Sequence, residues 1–234
     1  ITNNNENFDF EVYFSEVFHE KGGFDIAIAN PPYVSYGLRG GQKMTQQEKD
    51  FLKRVFPDSA EYKISLYSIF MDKAIQLANI GGIQTLIVPD SFLMGRYFSK
   101  IRSLILRKNK IIELLLLPYG VFDATVGFSV VYRFQRSDFV NTSHNIISKY
   151  AESRDDIANR YFKSFSYPQE YFRSLRYNRF RLFFDEQTMS LVMKVSNNAI
   201  PLGQLVDFNS GLIGKQGKES IVSDKCIVPY RRCM

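Results

Sequence analysis

GGFDIAIANPPYV, residues 22–34, is a short apolar run that ends abruptly in an asparagine, two prolines and a tyrosine. Phe24 to Ala29 is largely apolar and follows two glycines, the pattern of a strand buried on both faces of a parallel sheet. Asn30 is then expected at that strand's carboxyl end, the side on which open α/β sheets carry their ligand crevice. Each proline fixes φ at about −65° and lacks an N–H, and Asn30 and Pro31, each preceding a proline, are held out of the helical region. The turn is therefore stiff. It offers carbonyl oxygens without competing N–H groups, an amide at its start and an aromatic ring at its end.

Working outward, residues 34–44 (VSYGLRGGQKM) carry Gly37, Gly40 and Gly41 and read as a loop, either one that closes over a substrate or an ordinary surface connection. TQQEKDFLKRVF (45–56) reads as a short helix with Thr45 as N-cap and Glu48 completing a capping box. LYSIFMDKAIQLA (66–78) spaces its apolar residues for a helix that Gly81 and Gly82 stop. IQTLIVPD (83–90) is a buried strand followed by a polar turn at Asp90 and Ser91. A helix over Tyr97 to Arg107 runs into the basic RKNK (107–110), which suits a helix carboxyl end. IIELLLLP (111–118) and, after the loop YGVFDATVG (119–127), FSVVYRFQR (128–136) are two more strands. Upstream, FDFEVYFSEVF (8–18) alternates at first and reads as extended. Strands alternating with helices imply a parallel sheet with crossover connections, and the last strand follows too short a link to be parallel.

The 234 residues, 45% hydrophobic, suffice for a sizeable core, and the net charge of +6 favours an anionic partner such as nucleic acid. Cys226 and Cys233 have neither CxxC spacing nor a nearby histidine, so no metal site or disulfide framework is expected, and a reducing cytoplasmic setting fits best. No apolar run reaches the roughly 18 residues a membrane span needs, so no membrane is expected as partner. Three segments are expected: 1–140 as a catalytic domain, 141–199 as a mostly helical connector rich in bases and aromatics, and 200–234 as the start of a further domain. In the connector, Arg173, Arg176, Arg179 and Arg181 alternate with Tyr and Phe, which would set cations on phosphates and rings on bases, or else form an amphipathic strap with solvated arginines.

A planar exocyclic amine such as N6 of adenine is a poor nucleophile because its lone pair is delocalised into the ring. Two acceptors near its hydrogens, the Asn30 side-chain oxygen and the Pro31 carbonyl, would favour the pyramidal geometry that aims the lone pair at an electrophile. Pro32 would act as rigid spacer, and Tyr33 would stack on a base taken out of the duplex. Methylation at cytosine C5 is not expected, because it needs a cysteine after a proline and neither cysteine has one.

The same residues resemble motif IV of amino-group methyltransferases. LYSIFMDKAIQLANIGGIQTLIVPDSFL (66–93) resembles the helix-strand block of adenine-N6 DNA methyltransferases of restriction-modification systems, especially the TaqI-like and Eco57I-like group. LLLLPYGVFDATVGFSVVYRFQRS (114–137) is similar to that group's motif VIII, which by position implies Phe122 as a second stacking face. IPLGQLVDFNSGLIGKQGKES (200–220) is similar to the opening of a target-recognition domain, and Lys215 in it joins the candidate DNA contacts; its spacing around Gly211, Gly214 and Lys215 does not make a P-loop.

The resemblance implies the C-terminal half of a Rossmann-like methyltransferase sheet, mostly parallel with an antiparallel last strand. It implies S-adenosylmethionine as cofactor, double-stranded DNA as substrate, and a role in restriction-modification or phage defence in a prokaryotic cytoplasm. The family's glycine-rich cofactor loop and acidic ribose ligand do not occur among the 29 residues before Asn30. The chain, which begins at Ile1, is thus expected to be a fragment, inactive alone, that pairs with a missing N-terminal half or another subunit through the apolar edge of its first strand. Methylation of an RNA base or a protein glutamine, and a catalytically silent DNA-binding fragment, are the alternatives.

Overall fold

The computed structural model describes residues 8–36, 44–62, 64–121, 127–138, 143–182 and 185–207. Two compact units divide the chain at 185/186. In the first unit the helices α1 (Phe10–Tyr13) and α2 (Ser15–Lys21) precede strand β1 (Phe24–Ala29), followed by α3 (Gln46–Val55), α4 (Leu66–Leu77) and β2 (Ala78–Pro89). Next come α5 (Ser91–Met94), α6 (Ser99–Lys108), β3 (Asn109–Leu117), β4 (Ser129–Arg136), β5 (Asn145–Tyr150), α7 (Arg154–Ala158), β6 (Lys163–Pro168) and α8 (Gln169–Ser174). The second unit carries α9 (Glu186–Asn198). Among the described residues no helix is long and apolar enough to cross a membrane.

The six strands form one sheet in the order β1-β2-β4-β3-β5-β6. β1, β2, β3 and β5 run in one direction, and β4 and β6 run against them. β4 inserts between β2 and β3, as its short link to β3 requires. Alternate residues of β2 and β4 fill the core, with Leu86, Val88, Val130, Tyr132 and Phe134 all buried. α4 and α6 pack on each other and against this sheet, supplying Met71, Ile75, Ile101 and Ile105.

Residues 8–18, expected to be extended, carry instead α1 and the start of α2 on either side of Phe14. Phe10, Phe14 and Phe18 stand four residues apart, which puts them on one helical face, and all three rings lie edge-on to Phe24 at 6.3, 5.3 and 5.5 Å. Asp9 caps α1 by accepting from the Glu11 N–H at 2.9 Å. The helix at 46–55 follows the sequence closely: Thr45 and Glu48 form the reciprocal capping box. Gly81 and Gly82 fall inside β2 rather than ending α4, which stops at Leu77; the β1–β2 register slips there and resumes at Ile26 opposite Ile83.

Within 141–199, read as a mostly helical connector, Asn145–Tyr150 and Lys163–Pro168 add β5 and β6 to the sheet. β3 pairs with β5 from Glu113 onward, which leaves the Ile111 backbone ahead of that pairing. Gln169 accepts from the Ile111 N–H at 2.9 Å and donates to the Asn109 carbonyl at 2.9 Å, while the His144 ring bonds the Ile111 carbonyl at 2.7 Å. Buried backbone groups require partners, and here those partners come from the ends of β5 and β6.

β1 is an edge strand. Ile26 and Ile28 are 64% and 77% exposed, so the expected burial on both faces is not reached within this chain. A cavity of about 550 Å³ lined by Phe10, Phe24, Ile26, Ile28, Phe70 and Leu77 runs beside it.

Candidate active site

Asn30 stands at the carboxyl end of β1, exposed, and no described residue hydrogen-bonds its side chain. Pro31 is buried and Pro32 exposed, so the turn is anchored at one proline and open at the other. Its exit is fixed by a short ladder to the start of α4: Leu66 N–H donates to the Val34 carbonyl at 2.9 Å, Tyr36 N–H to the Ile64 carbonyl at 2.8 Å, and the Ser35 hydroxyl to Ser65 Oγ at 3.2 Å. Two rigid elements therefore hold the four residues between them.

Tyr33 donates its hydroxyl to the Ile87 carbonyl at 3.1 Å, which pins the ring across β2, and it meets Tyr67 edge-on at 6.5 Å. Burial pushes the Tyr33 phenol above its ordinary pKa, with Ser129 partly offsetting the shift, so the group stays a neutral donor. Tyr67 is buried, stacks on Phe98 at 5.5 Å and shares a hydrogen bond of 2.8 Å with Ser91 Oγ. Its pKa is pushed up to about 12 by burial.

Tyr33, Tyr67, Pro89, Ser91, Tyr97 and Phe98 line a cavity of about 270 Å³. That is just under the roughly 300 Å³ floor of small-molecule pockets, a size suited to a single heterocycle. A second cleft of about 350 Å³ opens among Asp90, Leu116, Phe128 and Tyr150. Asp90 donates its N–H to the Phe128 carbonyl at 3.0 Å, and burial raises its carboxyl pKa. Tyr119 meets Phe128 edge-on at 6.1 Å beside this cleft.

The sequence-derived residues are thus distributed unevenly. Tyr33 lines the aromatic cavity, and Asn30, Pro31 and Pro32 form the turn leading to it, although Asn30 lines neither cleft. Phe122, Lys215, Gly37, Gly40, Gly41, Cys226 and Cys233 lie outside the described residues. Among the described residues no group of three His, Cys, Asp or Glu side chains is placed to hold a metal ion. Arg173 spends its guanidinium on the Leu106 carbonyl at 2.6 Å and on Glu170 at 3.3 Å. Arg176 and Arg179 instead flank the Tyr177 ring at 4.9 and 5.3 Å. The reading from sequence missed Tyr67, Tyr97 and Phe98; the aromatic beginnings of two helical segments were the only signal, and aromatics at such positions usually signify core.

A predominantly parallel sheet with one antiparallel strand inserted, and an Asn-Pro-Pro-Tyr turn at the carboxyl end of its edge strand, is the arrangement of a methyltransferase. Residues 1–122 match the family model described as Eco57I restriction-modification methylase, just over half of the 234 residues, and the chain belongs to that family. The chain is 29% identical over 104 residues to the adenine-specific methyltransferase BrxX of Escherichia coli O9:H4, covering 44% of this chain and 8% of that protein. It is 29% identical over 115 residues to the type II methyltransferase M.TthHB8I of Thermus thermophilus, covering 48% and 26%. The type IIG restriction endonuclease BpuSI shares the fold, with a TM-score of 0.51 at 14% identity over 84% of this chain and 25% of that one. The chain therefore spans only a minor part of the length of the proteins it matches.

Proposed function

We propose that this chain is the substrate-side part of a DNA methyltransferase that modifies N6 of adenine within a restriction-modification or phage-defence system in a prokaryotic cytoplasm. The observation that carries the reading is the Asn30 amide, exposed and free of partners among the described residues, beside a Tyr33 ring locked to Ile87. Asn30 Oδ1 and the Pro31 carbonyl accept from the exocyclic amine and draw it toward the geometry of the transition state. Tyr33 stacks on the flipped base, and the aromatic cavity receives the ring. Phe122 is proposed as the opposite face. The relative named as adenine-specific supports adenine over other amines.

S-adenosylmethionine, when bound, supplies an electrophilic methyl group on a sulfonium. Asn30 is exposed at the carboxyl end of β1, the side from which such a donor would approach the amine, and no described residue bonds its amide. The free edge of β1, with its exposed isoleucines and the apolar cavity beside it, is proposed to be covered by a preceding half of the same fold, from the same polypeptide or another subunit. The 234-residue chain alone is then expected to be inactive. Segment 200–234 is proposed as the beginning of a target-recognition domain.

The test supplies isotopically labelled S-adenosylmethionine to the natural polypeptide containing this segment, with duplex DNA, RNA and a glutamine-containing peptide as separate substrates. Label in N6-methyladenine of DNA, lost by at least a hundredfold in Asn30→Ala, is expected. Label in RNA or peptide, or an active Asn30→Ala variant, overturns the assignment.

A further inference from the structure

The stretch 175–180 carries backbone strain that the packing of a core does not require. Tyr177 and Asn178 have φ of +62° and +50°, successive left-handed positions in residues that are not glycine. Each costs on the order of 1 kcal/mol and persists only where surrounding structure enforces it. Enforcement is visible on three sides. Arg102, fully buried, donates from Nε and Nη2 to the Tyr177 carbonyl at 3.2 and 2.9 Å. Asn178 N–H bonds the Leu175 carbonyl at 2.8 Å. Phe180, buried against Phe92 and Phe172, donates its N–H to the Leu93 carbonyl at 2.9 Å.

This turn gathers cations. Arg176 and Arg179 both lie over the Tyr177 ring, at 4.9 and 5.3 Å from its centroid, and Arg102 stands behind it. Among the described residues no carboxylate lies within ion-pair distance of any of the three. Arg179 Nε is buried without a hydrogen-bond partner. Assembling three guanidinium groups costs repulsion, and a buried one focuses its field outward because low-dielectric surroundings screen it poorly. Arg176 donates from Nη2 to the Tyr177 hydroxyl at 3.1 Å, which fixes its head beside the ring, and the remaining N–H groups of a planar guanidinium match the oxygens of a phosphate.

The turn is also wired to the candidate site. Arg102 Nη1 donates to the Phe92 and Gly95 carbonyls at 2.6 and 2.9 Å, and the segment continuing from Gly95 supplies Tyr97 and Phe98 to the aromatic cavity.

We propose that Arg176 and Arg179 grip the phosphodiester backbone of duplex DNA, with Tyr177 as the spacer that fixes their separation and Arg102 as the buried strut that holds the turn. Arg173 is excluded from this grip by its engagement with Leu106 and Glu170. The inference deepens the reading of the chain as a DNA methyltransferase, since it names the contact that positions the strand whose base enters the cavity. A phosphate contact is indifferent to base sequence and sensitive to salt, and those two properties define the test.

Binding of the natural polypeptide containing this segment to a fluorescein-labelled duplex of about 30 base pairs is followed by anisotropy between roughly 50 and 200 mM salt, a range over which phosphate contacts dominate the change in affinity. In Arg176→Gln/Arg179→Gln the slope of log affinity against log salt is expected to fall by about 2, and affinity to drop about tenfold per arginine, equally on an unrelated duplex. Arg176→Lys/Arg179→Lys, which keeps charge and folding, retains the slope, and Arg173→Gln leaves it unchanged. Wild-type slope in the double Gln variant, a loss confined to one sequence, or no duplex binding by the wild type overturns the proposal. Equal competition by phosphatidylserine vesicles also overturns it, in favour of a membrane surface. No methyl transfer is needed for this readout, so loss of the salt slope with labelling of adenine intact, or the reverse, tells failure of the grip from failure of the methyltransferase reading.

Discussion

Replacing Arg102 with Met keeps most of the side-chain stem while removing the guanidinium that joins α6 to two other segments. Four hydrogen bonds to three carbonyls are lost, those of Phe92, Gly95 and Tyr177. Each acceptor left unpaired costs about 1–1.5 kcal/mol, so the gross loss is about 3–4 kcal/mol. Part is returned, because burial and, more weakly, Arg179 disfavour the charged form and lower the Arg102 pKa to about 10, while Glu61 acts the other way. A buried cation without a contacting carboxylate is expensive, and its removal recovers about 1 kcal/mol. The net expectation is a loss of about 2–3 kcal/mol, equivalent to about 5–10 °C in Tm for a unit of this size. Urea denaturation followed by circular dichroism measures it: the midpoint should fall with no change in slope. Hydrogen exchange should quicken in 92–95 and 176–180 before it does so in β2 or β4. A Met variant within about 0.5 kcal/mol of the wild type, or exchange that quickens uniformly, would refute the argument that this guanidinium ties the two segments together.

Gly23 has φ of +142°, and a Cβ there would lie 2.6 Å from the Leu77 carbonyl and 2.8 Å from the Asn79 nitrogen, both backbone atoms. Gly23→Ala should cost about 2–4 kcal/mol by the same denaturation assay, and a neutral substitution would mean that β1 and β2 part easily at this end. Asp72 is buried, accepts from Ser59 Oγ at 2.8 Å, and has its pKa raised chiefly by burial, with Ser59 and Gln76 opposing the shift. A raised folded pKa means that folding favours the protonated acid. The stabilising contribution is full below the unfolded value of about 3.9 and is lost as pH rises through the folded one. Asp72→Asn should therefore gain on the wild type from about pH 4 upward and level off above the folded pKa, whereas a gap constant with pH would show that Asp72 does not titrate abnormally.

β1, α3 and the order of strands and helices from residue 24 to 136 were legible because each rests on short-range rules. Two prolines forbid continuation of β1 whatever surrounds them, and Thr45 with Glu48 satisfies its own helix end without help from elsewhere. A short link between β3 and β4 forces antiparallel pairing before any packing is considered. The turn Asn30–Tyr33 was legible for the same reason, since its stiffness is encoded in the residues that form it.

What remained hidden depends on partners far away in sequence. Phe10, Phe14 and Phe18 become a helical face only once Phe24 supplies something to pack on, and in isolation their spacing competes with alternation. β5 and β6 join the sheet beside β3, where Gln169 and His144 complete the Ile111 backbone ahead of the β5 pairing, and nothing near residue 111 announces it. The aromatic cavity draws on Tyr33, Tyr67 and Phe98, brought together by crossover connections. The difference between Arg173, neutralised by a helix end, and Arg176 and Arg179, held over one ring, is likewise invisible in an alternating run of bases and aromatics. Dihedral limits and capping act within a few residues, so the sequence by itself settled where β1 stops, how α3 is capped and which chemistry the Asn-Pro-Pro-Tyr turn can offer. Pairing of buried polar groups is decided by topology, and only the tertiary structure could say which side chains line the cavity beside Tyr33.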